Sequence, residues 1–248
     1  MSKFYTRWKR ALIRTKILSG LAKYPGYFSD MLSYSRMDGA EPIKLVDTYP
    51  CLFDKTSKTR VDSHYFYQDL WAFKKIYSLK TELHVDIGSN VNYVGFLTAI
   101  TNVHFVDIRP LEVSNIKNLR SVKGSILDLP YESNSLKSIS CLHVAEHVGL
   151  GRYGDVLDPF GTKKAASELS RCLSQGGNLF FSLPVGKPRL YFNAHRIHSP
   201  KQIIDYFGDL KLVELSGTDD KKRFIENIDI HSLENSRYAC GMFWFTKE

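Results

Sequence analysis

Two short stretches gather the side chains best suited to chemistry. His143, Glu146 and His147 form one, with Arg152 and Tyr153 just beyond; His195 and Arg196 form the other. A hydroxyl is a poor nucleophile until its proton is leaving. A neutral imidazole accepts a proton near neutral pH. His143 and His147 stand four residues apart and share a face if the segment is helical. Either is a candidate base, with Glu146 as the carboxylate that orients a ring. His195 is a further candidate at the same edge. Arg196 suits a phosphate or carboxylate on an acceptor, and Arg152, Tyr153 and His195 are expected to line the same acceptor pocket. The order H-E-x-x-H is absent, so these residues do not read as a metal triad.

An upstream set points to a nucleoside ligand. Asp86-Ile-Gly88-Ser89-Asn90-Val-Asn92 places an acid and a glycine turn at the end of an apolar run. Glycine lets backbone approach a ligand closely. Asp86 repels a pyrophosphate but suits water or an ammonium group. Asn90 and Asn92 stand where the loop pattern E/D-x-G-x-G-x-G has further glycines, and asparagine tolerates left-handed backbone. Asp107 and Ile108 follow about 20 residues later, where an acid accepts both ribose hydroxyls. Asp128 and Leu129 come next, an acid at a third strand end with apolar Ile126 and Leu127 beside it, able to sandwich a flat ring. His143 completes the expected cofactor set.

These residues must be positioned by strand ends. Apolar runs at 83–87, 103–107, 121–125, 138–144, 178–183, 210–215 and 239–245 alternate with helical patterns at 64–77, 93–101, 162–172 and 200–207. Alternation of this kind predicts a mostly parallel sheet with helices on both faces. The last two strands have no clear helix between them, which predicts an antiparallel C-terminal strand. The expected fold is a doubly wound, seven-stranded α/β sheet of Rossmann-like type over residues 63–248. Gly176 and Gly177 are expected to end the preceding helix.

Residues 1–62 read as an extension. The first 25 residues contain no acid, and Phe4, Trp8 and Leu12 fall on one helical face. A basic amphipathic helix suits an anionic membrane or RNA, or packs on its own domain. Residues 26–62 read as an irregular linking segment covering part of the site.

The chain of 248 residues is 43% hydrophobic and 24% charged, with a net charge of +8. That composition is globular rather than disordered, and its sign favours an anionic partner. Cys51, Cys141, Cys172 and Cys240 form no C-x-x-C pair, so neither a zinc finger nor a disulfide framework is expected. No apolar run reaches the roughly 18 residues of a membrane span. Arg14 and Lys16 interrupt any signal-peptide core. The expected location is the cytoplasm, extending to the inner face of the membrane if the basic helix binds there.

The strings His-Val-Asp-Ile-Gly-Ser (84–89), Val-Asp-Ile-Arg-Pro-Leu (106–111), Ser-Cys-Leu-His-Val-Ala-Glu-His-Val-Gly-Leu-Gly-Arg-Tyr-Gly-Asp (140–155), Ser-Leu-Pro-Val-Gly (182–186) and Phe-Asn-Ala-His-Arg-Ile (192–197) are distinctive. Together they resemble a bacterial domain-of-unknown-function family related to class I S-adenosylmethionine-dependent methyltransferases. That family is often encoded among surface-polysaccharide genes. The resemblance spans about residues 60–220. It implies the methyltransferase fold, S-adenosyl-L-methionine as cofactor and a surface-polysaccharide context, with no settled substrate; the leading reading is O-methylation of a sugar, sugar nucleotide or lipid-linked saccharide. RNA methylation is the alternative that net charge favours, but no RNA-binding module is visible. A non-catalytic adaptor is a third reading, and the three acids Asp86, Asp107 and Asp128 weigh against it.

Overall fold

The computed structural model describes residues 20–248. The chain divides into two compact units, Met1–Arg60 and Val61–Glu248. The Phe4, Trp8 and Leu12 stripe, and the basic residues around it, lie outside the described residues.

In the first unit, α1 spans Tyr24–Ser35. The linking segment is therefore not irregular throughout. Proline in the first turn presets a helical φ without losing a needed donor. The Tyr24 and Phe28 rings stack along the helix at 6.0 Å. A single 3-10 turn follows at Leu45–Asp47.

The second unit opens with α2, Ser63–Leu79, whose first turn is capped by the Asp62 side chain accepting from the His64 N–H at 3.0 Å. Then come β1 (Leu83–Ile87), α3 (Val91–Leu97), β2 (Asn102–Asp107), β3 (Leu119–Lys123) and β4 (Leu136–Leu142). After a 3-10 turn at Ala145–His147 follow α4 (Gly161–Cys172), β5 (Leu173–Val185), β6 (Arg189–Tyr191) and β7 (His195–Ile197). The chain continues with α5 (Pro200–Tyr206), β8 (Lys211–Thr218), β9 (Phe224–Ile225), α6 (Ile230–Glu234) and β10 (Ala239–Thr246).

The sheet order is β3-β2-β1-β4-β5-β10-β8-β9, with eight strands. The expected seven are joined by the two-residue β9 at the edge. β1 to β5 pair in parallel, and β10 runs antiparallel to both β5 and β8. β6 and β7 form a separate hairpin.

Each face of the sheet is buried. On one side Trp71, Ala72 and Ile76 of α2 pack with Tyr93, Val94 and Leu97 of α3. On the other, Ala165, Ala166 and Leu169 of α4 pack with Ile203 of α5 and with Phe181, Phe207 and Phe245. Strands buried on both faces need near-continuous apolar runs, and β1 and β4 have them. Their polar residues are paired within the sheet: His84 lies between the Ser138 and Ser140 hydroxyls at 2.7 and 2.8 Å. Burial holds that imidazole down to about 3, hence neutral. Trp71 Nε1 donates to Glu214 at 2.9 Å, and Lys75 pairs with the same carboxylate, fixing α2 to β8.

Gly176 and Gly177 do not cap a helix. α4 ends at Cys172 and the next residue already belongs to β5. The glycine pair instead sits where the β4–β5 register shifts, between the Leu136–Leu173 and Ser138–Asn178 pairs.

At Gly161 a Cβ would lie 2.2 Å from the Val148 carbonyl oxygen. The start of α4 therefore presses directly on the loop that follows β4. Gly161→Ala is expected to cost about 1–3 kcal/mol by overpacking, lowering the melting temperature by roughly 2–12 °C for a domain of this size. An unchanged melting curve would show that the two segments separate freely.

Candidate cofactor and acceptor site

The carboxyl ends of β1, β2, β3 and β4 surround a cleft of about 130 Å³, open to solvent. The strand ends are where doubly wound sheets bind ligands. Its lining includes Gly88, Asp107, Ile108, Ile126, Leu127, His143, His147 and Tyr153.

Gly88 makes the turn after β1 at φ +67°, and its N–H bonds the Val106 carbonyl at 2.9 Å. A Cβ there would meet Val144 at 3.2 Å and Asp107 Oδ2 at 3.4 Å. The bare backbone thus keeps the cleft open beside Asp107. Asp107 ends β2 with its side chain 16% exposed. Its Oδ1 accepts from the Arg109 N–H at 2.7 Å, which fixes the carboxylate. Ile108 and Leu127 are part-exposed apolar walls, 40% and 38% accessible, and Ile126 is buried between β3 and the cleft. One fixed carboxylate among apolar plates is the arrangement that holds a nucleoside: hydroxyls on the acid, base between the plates.

Several expected cofactor contacts have other work. Asp86 is fully buried and outside the cleft. Its carboxylate accepts from the Ser89 N–H at 3.0 Å and from the Ser140 hydroxyl. Burial raises it to about 6. It ties the glycine turn to β4 and cannot hold an ammonium group. Ser89 Oγ accepts from the Leu142 N–H at 3.0 Å, and Asn90 caps α3 through the Asn92 N–H at 2.9 Å. Asp128 is exposed and absent from the cleft lining. Its N–H closes a turn onto the Ser125 carbonyl at 3.0 Å, which puts Ser125, not Asp128, at the cleft. Leu129 is a core residue whose N–H bonds Glu168 at 2.7 Å.

Beyond β4 the chain turns sharply. His143 takes φ +57°, a left-handed backbone that is unusual for a residue with a side chain. Ala145, Glu146 and His147 then form one 3-10 turn, anchored by the Thr162 hydroxyl on the Ala145 carbonyl at 2.9 Å. His143 and His147 both line the cleft, although the turn is too short for a shared helical face. His147 Nδ1 lies 2.6 Å from the Ala194 carbonyl. A carbonyl only accepts, so Nδ1 carries the proton and Nε2 the lone pair. That Nε2 is 3.6 Å from Glu146 Oε1. Burial holds His147 down to about 4 and pushes Glu146 up to about 8. Both oxygens of the buried Glu146 lack a hydrogen-bond partner. His143 is held well below its ordinary value by burial and by neighbouring His64, His147 and His195.

At the cleft mouth, Tyr153 lies between two guanidinium groups: Arg109 at 4.5 Å and Arg152 at 5.0 Å from its ring centre. Arg152 also donates to the Ala194 carbonyl at 3.0 Å. Arg196 does not face an acceptor. Its guanidinium bonds the Val148 and Asp158 carbonyls at 2.5 and 2.8 Å and fixes the loop between them. His195 sits on the β6–β7 hairpin against Tyr191 and Tyr238, outside the cleft lining. Arg109 and His64 were not among the expected site residues. Arg109 is signalled only by its position two residues after Asp107. His64, which approaches His143 to 3.3 Å, has no local signal because 79 residues separate the two.

A family model described as "Caenorhabditis protein of unknown function, DUF268" matches residues 99–239. No curated protein matches the sequence. Among solved structures, geranyl diphosphate methyltransferase in complex with GPP and sinefungin is 13% identical, with 74% of this chain and 78% of that one covered and a TM-score of 0.55. The N-methyltransferase NodS from Bradyrhizobium japonicum, in complex with S-adenosyl-L-homocysteine, is 12% identical over 75% of this chain and 89% of its own, at 0.51. The [4+2]-cyclase SpnF is 10% identical over 74% and 81%, at 0.54. The fold is therefore the Rossmann-like one found in S-adenosylmethionine-dependent methyltransferases. Among the described residues no helix is long and apolar enough to cross a membrane.

Proposed function

We propose that this chain, which belongs to the DUF268 family, is an S-adenosyl-L-methionine-dependent methyltransferase. The observation that carries the reading is the cleft itself. Asp107 is fixed at its floor beside the bare Gly88 turn, between Ile108, Ile126 and Leu127. Asp107 takes the ribose hydroxyls, and the apolar walls take the adenine. When bound, the cofactor supplies an electrophilic methyl group.

The acceptor is a hydroxyl, of the class found on sugars, sugar nucleotides or lipid-linked saccharides in surface-polysaccharide synthesis. A hydroxyl must lose its proton as it is methylated. The His147–Glu146 pair supplies the place for it. The Ala194 carbonyl fixes the His147 tautomer so that Nε2 is free of hydrogen, and Glu146 lies on that same side of the ring, 3.6 Å from Nε2. The proton of the acceptor hydroxyl would pass to His147 Nε2 as the methyl group that the cofactor would supply is taken up. Arg109 and Arg152 flank Tyr153 at the mouth and suit a phosphorylated acceptor. The basic N-terminal segment offers a contact for an anionic membrane on which a lipid-linked acceptor would lie.

Fold alone does not fix the chemistry, as the cyclase neighbour illustrates. Isothermal titration with S-adenosylmethionine and S-adenosylhomocysteine is the first test. Micromolar binding of both is expected. No binding of either would sink the reading and leave a non-catalytic role for the fold. With binding established, a screen of nucleotide sugars for methyl transfer tests the acceptor class.

A further inference from the structure

His64 in the first turn of α2, His143 after β4 and Cys240 near the start of β10 converge from three separate elements. Each offers one donor atom, and the three atoms lie within 4.8 Å of one another. All three residues are buried, at 6%, 8% and 0% exposure. His64 Nδ1 and His143 Nε2 are 3.3 Å apart. Nitrogens each about 2.0–2.1 Å from a tetrahedral zinc ion stand about 3.3 Å from one another. The Cys240 sulfur has only long contacts, 3.9 Å to Gln68 Oε1 and 3.8 Å to the Gly241 carbonyl. It needs to close by about 1 Å to complete the set at a Zn–S distance of about 2.3 Å.

We propose that His64, His143 and Cys240 bind one divalent transition-metal ion of the zinc class. Two imidazoles and a thiolate select such borderline ions over magnesium or calcium, which take oxygen ligands. The Tyr238 ring, stacked on His64 at 4.9 Å, shields the site on one side. His143 also lines the cleft, so the ion stands at the cleft's inner wall. Three protein ligands leave one position for water or an acceptor atom.

The site does not depend on the methyltransferase reading, and its test is separate. The full chain is treated with chelator and titrated with cobalt(II), and zinc is measured by mass spectrometry in the protein as purified. One cobalt per chain is expected, with a thiolate-to-cobalt charge-transfer absorption. Cys240→Ser should abolish that absorption. His64→Gln should weaken binding at least about tenfold, since even outer-shell changes cost that much. Cys172→Ser, a buried thiol in α4, should change neither. No stoichiometric cobalt binding by the wild-type chain, or binding without the thiolate absorption, overturns the proposal. In that case the 3.3 Å contact is a hydrogen bond between neutral rings. The wild-type spectrum decides this even if Cys240→Ser fails to fold. Cobalt binding without S-adenosylhomocysteine binding would leave the metal site standing and sink the methyltransferase reading.

Discussion

Replacing Asp107 with alanine is expected to weaken binding of S-adenosylmethionine and S-adenosylhomocysteine by about 10²–10⁴-fold. The carboxylate is already fixed by the Arg109 N–H, so ligand binding orders nothing further there. Two ribose hydroxyls donating to it form hydrogen bonds to a charged group, each contributing about 1.5–3 kcal/mol, and every 1.4 kcal/mol is about tenfold. The side chain lies at the cleft rather than in the core, so the melting temperature should hardly move. Asp107→Asn keeps the size and half of the acceptor capacity and should fall between. Calorimetric titration of the three proteins measures this. Equal affinities would place the ribose elsewhere.

Stability should pass through a maximum near pH 6 to 7 in the metal-free protein. Burial lowers His84 to about 3, and His147 and His198 to about 4. These rings are neutral in the folded chain but protonated in the unfolded chain below about 6.5. Their contribution is complete above that value and is lost as pH falls toward the folded values. Glu146 behaves oppositely. Its folded value of about 8 lies above the unfolded one, so its contribution is full below about 4.5 and is lost as pH rises through 8. Asp69, raised by burial to about 7, has the same sign. Each unmatched proton gives a slope of about 1.4 kcal/mol per pH unit. Glu146→Gln removes one such proton on the alkaline side. The stability advantage of wild type over this variant, from denaturant unfolding, should shrink from pH 5 to 8 and stay level above that. Parallel curves would mean that Glu146 is solvated or paired. His147→Gln should lose about 10²–10⁴ in kcat once an acceptor is known, the usual size of a general-base contribution.

The parts of this architecture that depend on short-range pattern were readable in the sequence. Apolar runs marked β1, β4 and β5 because strands covered on both faces are mostly apolar, their few polar residues being paired within the sheet. Asp107 was readable because it is the one acid directly following the second run, and the Gly88 turn because glycine suits left-handed backbone and brings no Cβ into the cleft. Asp86 misled. An acid beside a glycine turn resembles a ligand contact, but its partner is Ser140 on a neighbouring strand, 54 residues away. Asp128 misled by a local effect: the turn closed on Ser125 rotates it out to solvent. Arg196 misled because a guanidinium that binds two backbone carbonyls has the same composition signal as one that binds phosphate. Gly176 and Gly177 follow a helical pattern as a cap would, yet the strand begins sooner, and only the register with β4 shows where they belong. The His64–His143–Cys240 convergence had no sequence signature, since each member comes from a different element.

The position of β10 bears on how the chain is made. β10 separates β5 from β8, yet is synthesised after both. On the ribosome, β8 therefore finds only the two-residue β9 to join, and β5 waits with an open edge. Open apolar edges invite wrong pairings. Stalled chains ending before Ala239 should accordingly be protease-sensitive and bound by chaperones. Chains in which Thr246 has cleared the exit tunnel should become resistant in a single step, because one strand closes both gaps at once.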